Sequence, residues 1–129
     1  MSPTEASDLF AGLPAKVTAE LFTTIVETGD VRIERILSPP GSETAPGFWY
    51  DQEWDEWVLV LRGRAGLEIA GEPEVVTLGP GDHLVLAAHR RHRVAWTAAD
   101  EATVWLAVHY PRGAPSRGAP LRAESVHSQ

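Results

Sequence analysis

The chain contains no cysteine and a single methionine among its 129 residues. Without cysteine there is no disulfide scaffold, no thiolate zinc centre and no sulfur nucleophile. Basic residues are the minority: 11 Lys and Arg stand against 18 Asp and Glu, a formal net charge of −7. An acidic balance of that size opposes a broad nucleic-acid footprint, which needs a basic face against phosphates. It equally opposes an anionic membrane surface. No apolar run approaches the roughly 20 residues that span a bilayer. The opening Met1-Ser2-Pro3-Thr4-Glu5 lacks a basic region followed by an apolar one, so no secretory signal is expected and the default compartment is the cytoplasm. A Gly-x-Ser-x-Gly elbow, a P-loop and a dinucleotide fingerprint are also missing, so no nucleotide or organic cofactor is indicated.

What is present is a chain of one-domain length, 43% hydrophobic, cut by 10 Pro and 11 Gly into segments too short for strongly periodic helices. Residues 4–14 fit one helical turn (Asp8, Leu9, Phe10, Leu13) ahead of a Pro. From Glu20 onward the pattern is β-type. Leu21 to Val26 is rich in β-branched and aromatic residues, Thr28-Gly29-Asp30 signals a turn, and Val31 to Leu37 alternates apolar with charged side chains. This predicts a hairpin whose second strand has one wet face. Further strands are expected at 57–61, 67–70, 75–78, 83–87, 93–97 and 103–109, with a hairpin turn at Gly63-Arg64-Ala65-Gly66 and further turns at Gly71-Glu72-Pro73 and Gly79-Pro80-Gly81-Asp82. Seven or eight short strands spaced roughly 8–12 residues apart specify an all-β sandwich or barrel. The expected organisation is an N-terminal cap over residues 1–19, a β-barrel over 20–111, and a flexible tail over 112–129. Small barrels of this type commonly hide sheet edges by pairing subunits, so a homodimer through the N-terminal segment and strand 20–27 is expected.

Two stretches resemble the paired motifs of the cupin superfamily. Glu56 is followed seven residues on by Gly63, with the apolar Trp57-Val58-Leu59-Val60-Leu61 between them. Pro80-Gly81-Asp82 leads through His83-Leu84-Val85-Leu86-Ala87 to His92. The segments GFWYDQEWDEWVLVLRG, AAHRRHRVAWT and WLAVHYP are similar to those of small single-domain bacterial cupins. The resemblance spans roughly residues 31–110. It implies a double-stranded β-helix, or jelly roll, with a site inside the barrel. The departure is in the first motif: the family's His-x-His falls on Tyr50-Asp51-Gln52 or on Trp49-Tyr50-Asp51, and neither contains histidine.

Carried over position by position, the resemblance places metal ligands on Glu56 and His92, with a further one on Gln52 or Asp51. Such an oxygen-rich set suits a divalent Zn, Fe, Mn or Ni ion. The plainer alternative is a Glu56–His92 hydrogen-bonded pair around water. Strand alternation groups Glu56 with Val58 and Val60, and a carboxylate aimed into a barrel needs a cation or donors. His92 shares parity with Val94 and Trp96. His89 is either a second acid/base group or a solvated loop residue. The run His89-Arg90-Arg91-His92-Arg93 either grips an anionic ligand, Arg91 being the candidate, or neutralises Asp51, Glu53, Asp55 and Glu56. Five tryptophans are many for this length. Trp57 and Trp105 read as packing; Trp49, Tyr50, Trp54 and Trp96 are candidate walls for a sugar-like or anionic small molecule. His83 reads as structural, and His109, which shares parity with Trp105 and Ala107, as strand-end and exposed more readily than inward-facing.

Two functions follow. In the first, a metal-dependent cupin isomerises, cyclises, cleaves or dioxygenates a small molecule, with Glu56 or His89 moving a proton. In the second, the barrel binds or senses a small molecule without metal or catalysis.

Overall fold

The computed structural model describes residues 4–113. Eight strands follow in chain order: β1 (Leu21–Glu27), β2 (Arg32–Ser38), β3 (Asp55–Arg62), β4 (Ala65–Ile69), β5 (Val76–Leu78), β6 (His83–Leu86), β7 (His92–Thr97) and β8 (Thr103–Tyr110). They form two antiparallel sheets, ordered β1-β2-β8-β3-β6 and β5-β4-β7. No helix occurs among the described residues, and so none long and apolar enough to cross a membrane.

The turn residues anticipated from the sequence separate these strands. Between β1 and β2 the Thr28 amide donates to the Val31 carbonyl, closing the expected hairpin. Gly63-Arg64 is different from expectation. It joins β3 of the large sheet to β4 of the small one, so it is a corner rather than a hairpin. Gly63 takes φ +86°, a left-handed conformation that L side chains rarely adopt.

The single helical turn expected over residues 4–14 is not formed. Asp8 instead organises a tight turn, its Oδ1 accepting from the Phe10 amide and its carbonyl from the Ala11 amide. Gly12 in a left-handed conformation and Pro14 leave no room to propagate a helix from one turn. The segment is tied down by Arg35, whose Nη1 donates to the Leu9 and Ala11 carbonyls, and by the Arg62 guanidinium lying 4.4 Å over the Phe10 ring. Of the tail expected over 112–129, residues 114–129 lie outside the described residues.

The core lies between the sheets. Val58, Val60, Ala65, Leu67, Ile69, Leu78, Leu86 and Trp105 form one buried cluster. In β3 the residues at 56, 58 and 60 are all buried, so the parity read from the sequence points Glu56 into the barrel with two valines below it.

Candidate functional site

The space between the sheets is a cavity of about 370 Å³, within the ~300–1,000 Å³ range of small-molecule sites. Its apolar wall comes from Phe22, Ile36, Val58, Leu67, Leu86, Val94 and Trp105. Its polar wall comes from Glu20, Arg32, Glu34, Tyr50, Gln52, Glu56, His92 and His109.

Backbone pairing explains how distant residues meet. Tyr50 and His92 form an isolated bridge, each amide donating to the other's carbonyl at 2.8 and 3.1 Å. The His89 amide donates to the Gln52 carbonyl at 2.7 Å, which pins the 50–52 segment along the start of β7. Alternation along that extended segment turns Tyr50 and Gln52 into the cavity and Asp51 out. Of the two positions open for the second ligand of the first motif, Gln52 lines the cavity and Asp51 does not.

Glu56 and His92 do converge. His92 Nε2 stands 3.9 Å from Glu56 Oε1, with both side chains almost fully buried. A backbone carbonyl can only accept, so the 2.9 Å contact between His92 Nδ1 and the Arg90 carbonyl puts the ring proton on Nδ1 and leaves Nε2 a lone pair. Tyr50 stacks on the imidazole at 5.7 Å. Burial, reinforced by the nearby Glu34 charge, raises the Glu56 carboxyl to about 7; the Gln52 hydrogen bond and Arg32 only partly oppose this. Burial lowers the His92 imidazole from its ordinary value, outweighing the Arg90 carbonyl. Both effects favour uncharged forms.

The remaining sequence candidates lie outside this cavity. His89 and Asp51 pair with each other at 2.7 Å on the surface, and His89 is held at φ +63°. Arg91 lies over the Trp49 ring at 5.2 Å, with Arg93 on the same ring at 6.0 Å. Within the basic loop His89 meets one of the anticipated acids, Asp51, but the arginines meet others: Arg90 pairs with Glu72, and Arg93 with Glu68 and Glu43. Trp54 lines a neighbouring cavity that shares Arg32, Gln52 and His109 with the barrel. Trp96 is 37% exposed and covers Gly66, because the β4–β7 register shifts between Gly66 and Leu67 and breaks its alternation with His92. Trp57 packs on the outer face, donating through Nε1 to His83 Nδ1 at 3.1 Å.

Sequence reasoning missed a second buried pair. The face of β2 expected to be wet, Arg32-Glu34-Ile36, is the wall of the cavity. His109, expected to be exposed, is 5% exposed and bonds through Nε2 to Glu34 Oε1 at 2.9 Å. Arg32 Nε lies 3.8 Å from the other Glu34 oxygen. The available signal was His109's shared parity with Trp105 and Ala107, both of which are buried. Lower down, Ser38 accepts from Trp105 Nε1 at 3.0 Å and donates to Glu20, which also receives the Tyr50 hydroxyl.

These features define a small jelly-roll barrel with a polar, partly apolar-walled internal site. A family model for the cupin domain matches residues 35–109, and the chain belongs to that family. Among solved structures, a protein of Ralstonia eutropha JMP134 provisionally named a mannose-6-phosphate isomerase shares 47% identity. That alignment covers 83% of this chain and 98% of the other, with a TM-score of 0.79. A cupin superfamily protein of Desulfitobacterium hafniense DCB-2 shares the fold at 19% identity and TM-score 0.68, covering 84% and 94% of the two chains. A Streptococcus pyogenes protein of unknown function does so at 23% identity and TM-score 0.68, covering 88% and 93%. No curated protein matches the chain.

Cupins commonly hold a divalent ion, and the donor set tests whether this one does. The motif positions carry Tyr50, Gln52, Glu56 and His92: a phenol, a neutral amide, one carboxyl and one imidazole. No three His, Asp or Glu side chains come together as an ion-holding group among the described residues. Two strong donors with two weak neutral ones do not fit the family's ion.

Proposed function

We propose that this protein is a small-molecule-binding cupin whose barrel takes an uncharged, hydroxyl-rich ligand. The observation that carries this reading is the charge inventory of the cavity. Three carboxyl groups, Glu20, Glu34 and Glu56, face a single guanidinium, Arg32, which already stands beside Glu34. A phosphate or carboxylate entering there would lose its water and meet no free cation. Carboxyl, phenol, amide and imidazole groups instead offer a sugar-like molecule matched donors and acceptors, while Trp105, Val58 and Leu67 cover its apolar faces. The name given to the Ralstonia relative would require a phosphate site. The arginines of the 90–93 loop, the natural candidates, are engaged at the surface with Glu72, Glu68, Glu43 and Trp49.

Calorimetric titration with D-mannose and D-fructose, and with their 6-phosphates, tests the proposal. The neutral sugars are expected to bind, and their phosphates at least tenfold more weakly. Tighter binding of the phosphates would overturn the reading. A divalent metal is the competing reading. Stoichiometric metal in protein purified without chelators, lost in both Glu56→Gln and His92→Ala, would replace the ligand reading with a metal centre.

We propose a homodimer as the working unit. β1 is an edge strand, every residue of it is exposed, and Leu21, Phe22, Ile25 and Val26 present apolar side chains there. An apolar open edge of this kind is a template for pairing. Light scattering is expected to give a dimer mass that falls to the monomer in Ile25→Lys. A monomeric parent protein would overturn the proposal.

A further inference from the structure

The binding reading above uses the charge of Glu34 but not its pairing with His109. On the inward face of the large sheet, Arg32 of β2, His109 of β8 and Glu56 of β3 stand in one cross-strand row: His109 is registered with Arg32 on one side and with Glu56 on the other. Directly opposed side chains on one face have Cβ atoms roughly 4.5–5.5 Å apart. Glu34 lies one step further along the same face of β2 and reaches back to His109 Nε2 at 2.9 Å.

A carboxylate only accepts, so Nε2 carries the ring proton and Nδ1 keeps its lone pair. Nδ1 has no hydrogen-bond partner among the described residues. The imidazole is thus fixed in one tautomer by a buried carboxylate, with its basic nitrogen uncommitted, in the wall of a cavity. A purely structural bridge would be redundant here, since β2 and β8 are already paired along their full length from Arg32 to Ser38.

We propose that His109, held by Glu34, accepts a proton from the bound molecule, and that with Glu56 as proton donor the barrel catalyses a proton shift in a neutral α-hydroxy carbonyl compound. This rests on the binding reading and adds an activity to it. His109 Nδ1 takes the proton from the carbon that bears the hydroxyl. The freed C–H electron pair becomes the double bond of an enediol while the carbonyl oxygen takes the Glu56 proton. In the second half His109 returns its proton to the former carbonyl carbon. The other hydroxyl gives its proton back to Glu56 and becomes the new carbonyl. Both side chains end as they began, and no external oxidant or reductant enters. Glu34 is a positioning residue; His109 and Glu56 touch the ligand.

Dihydroxyacetone in D₂O is the probe, with deuterium entry at carbon read by proton NMR and binding read by indole fluorescence. The native protein is expected to accelerate exchange over the protein-free rate. His109→Gln should lose about a hundredfold or more of that rate, as for removal of a general base. Glu34→Gln, which keeps an amide oxygen to accept from Nε2, should lose roughly tenfold, and ¹⁵N NMR should show His109 moving from the Nε2–H form to a mixture of tautomers. Thermal melts confirm that each variant is folded, and if His109→Gln is not, Glu34→Gln carries the test. Binding without exchange in the native protein, undiminished exchange in a folded variant, or an Nδ1–H tautomer in the native protein would each overturn the inference while the binding reading stands. Neither binding nor exchange with dihydroxyacetone or the neutral sugars would remove both.

Discussion

Replacing Glu56 with Gln should stabilise the protein above neutral pH. Glu56 is 6% exposed, and its carboxyl is raised from 4.5 to about 7, chiefly by burial and secondarily by the Glu34 charge. Below 4.5 both the folded and unfolded chains hold the proton, and the raised value has no effect. Between 4.5 and about 7 the unfolded chain releases its proton while the folded chain keeps it, so folding stability falls as pH rises. Above about 7 both forms are ionised and the loss is complete. At 1.36 kcal/mol per tenfold the displacement amounts to about 3 kcal/mol. A glutamine fills the same volume and has no charge to desolvate, so it escapes this loss. Urea denaturation of the two proteins across pH 4–9 measures the difference directly. The curves should approach each other at the acid end, and the variant should be the more stable by up to about 3 kcal/mol at the alkaline end. A variant less stable than the parent at pH 8 would refute the reasoning. It would mean that the ionised carboxylate is held by a cation, and the metal-free reading of the cavity would go with it.

Gly63→Ala should destabilise by about 2–5 kcal/mol, combining the cost of a left-handed backbone with overpacking, because the new Cβ would lie 2.8 Å from the Thr103 Cα atom; a denaturation midpoint within about 1 kcal/mol of the parent would contradict this. Ser38→Ala removes the buried acceptor of Trp105 Nε1 and should cost about 1–3 kcal/mol in the same assay, whereas an unchanged stability would show that the indole finds another partner.

Part of this protein is legible in its sequence for simple reasons. Strands are short, apolar on one parity and bounded by Gly, Pro and Asp, so β1 to β8 fall where alternation and turn chemistry put them, within a residue or two at their ends. Glu56 could be aimed inward because Val58 and Val60 share its parity. The Glu34–His109 pair was not legible. Charges on alternate positions of a strand are the signature of a solvent-facing surface, and a water-accessible cavity wall produces the same signature. Trp96 failed for another reason: the register shift in β7 flips its parity relative to His92, and nothing in the residues 92–97 marks the shift.

Local chemistry was therefore enough to determine the all-β class, the strand boundaries, and the inward aim of Glu56, since each depends on neighbours within a few residues. Only the closing of β4, β5 and β7 over the large sheet decided which face of β2 is inside, which residue of the Tyr50–Gln52 segment turns away, and which histidine finds a carboxylate. Those outcomes hinge on partners up to 75 residues away along the chain, as Glu34 is from His109, and separation of that length leaves no trace in local pattern.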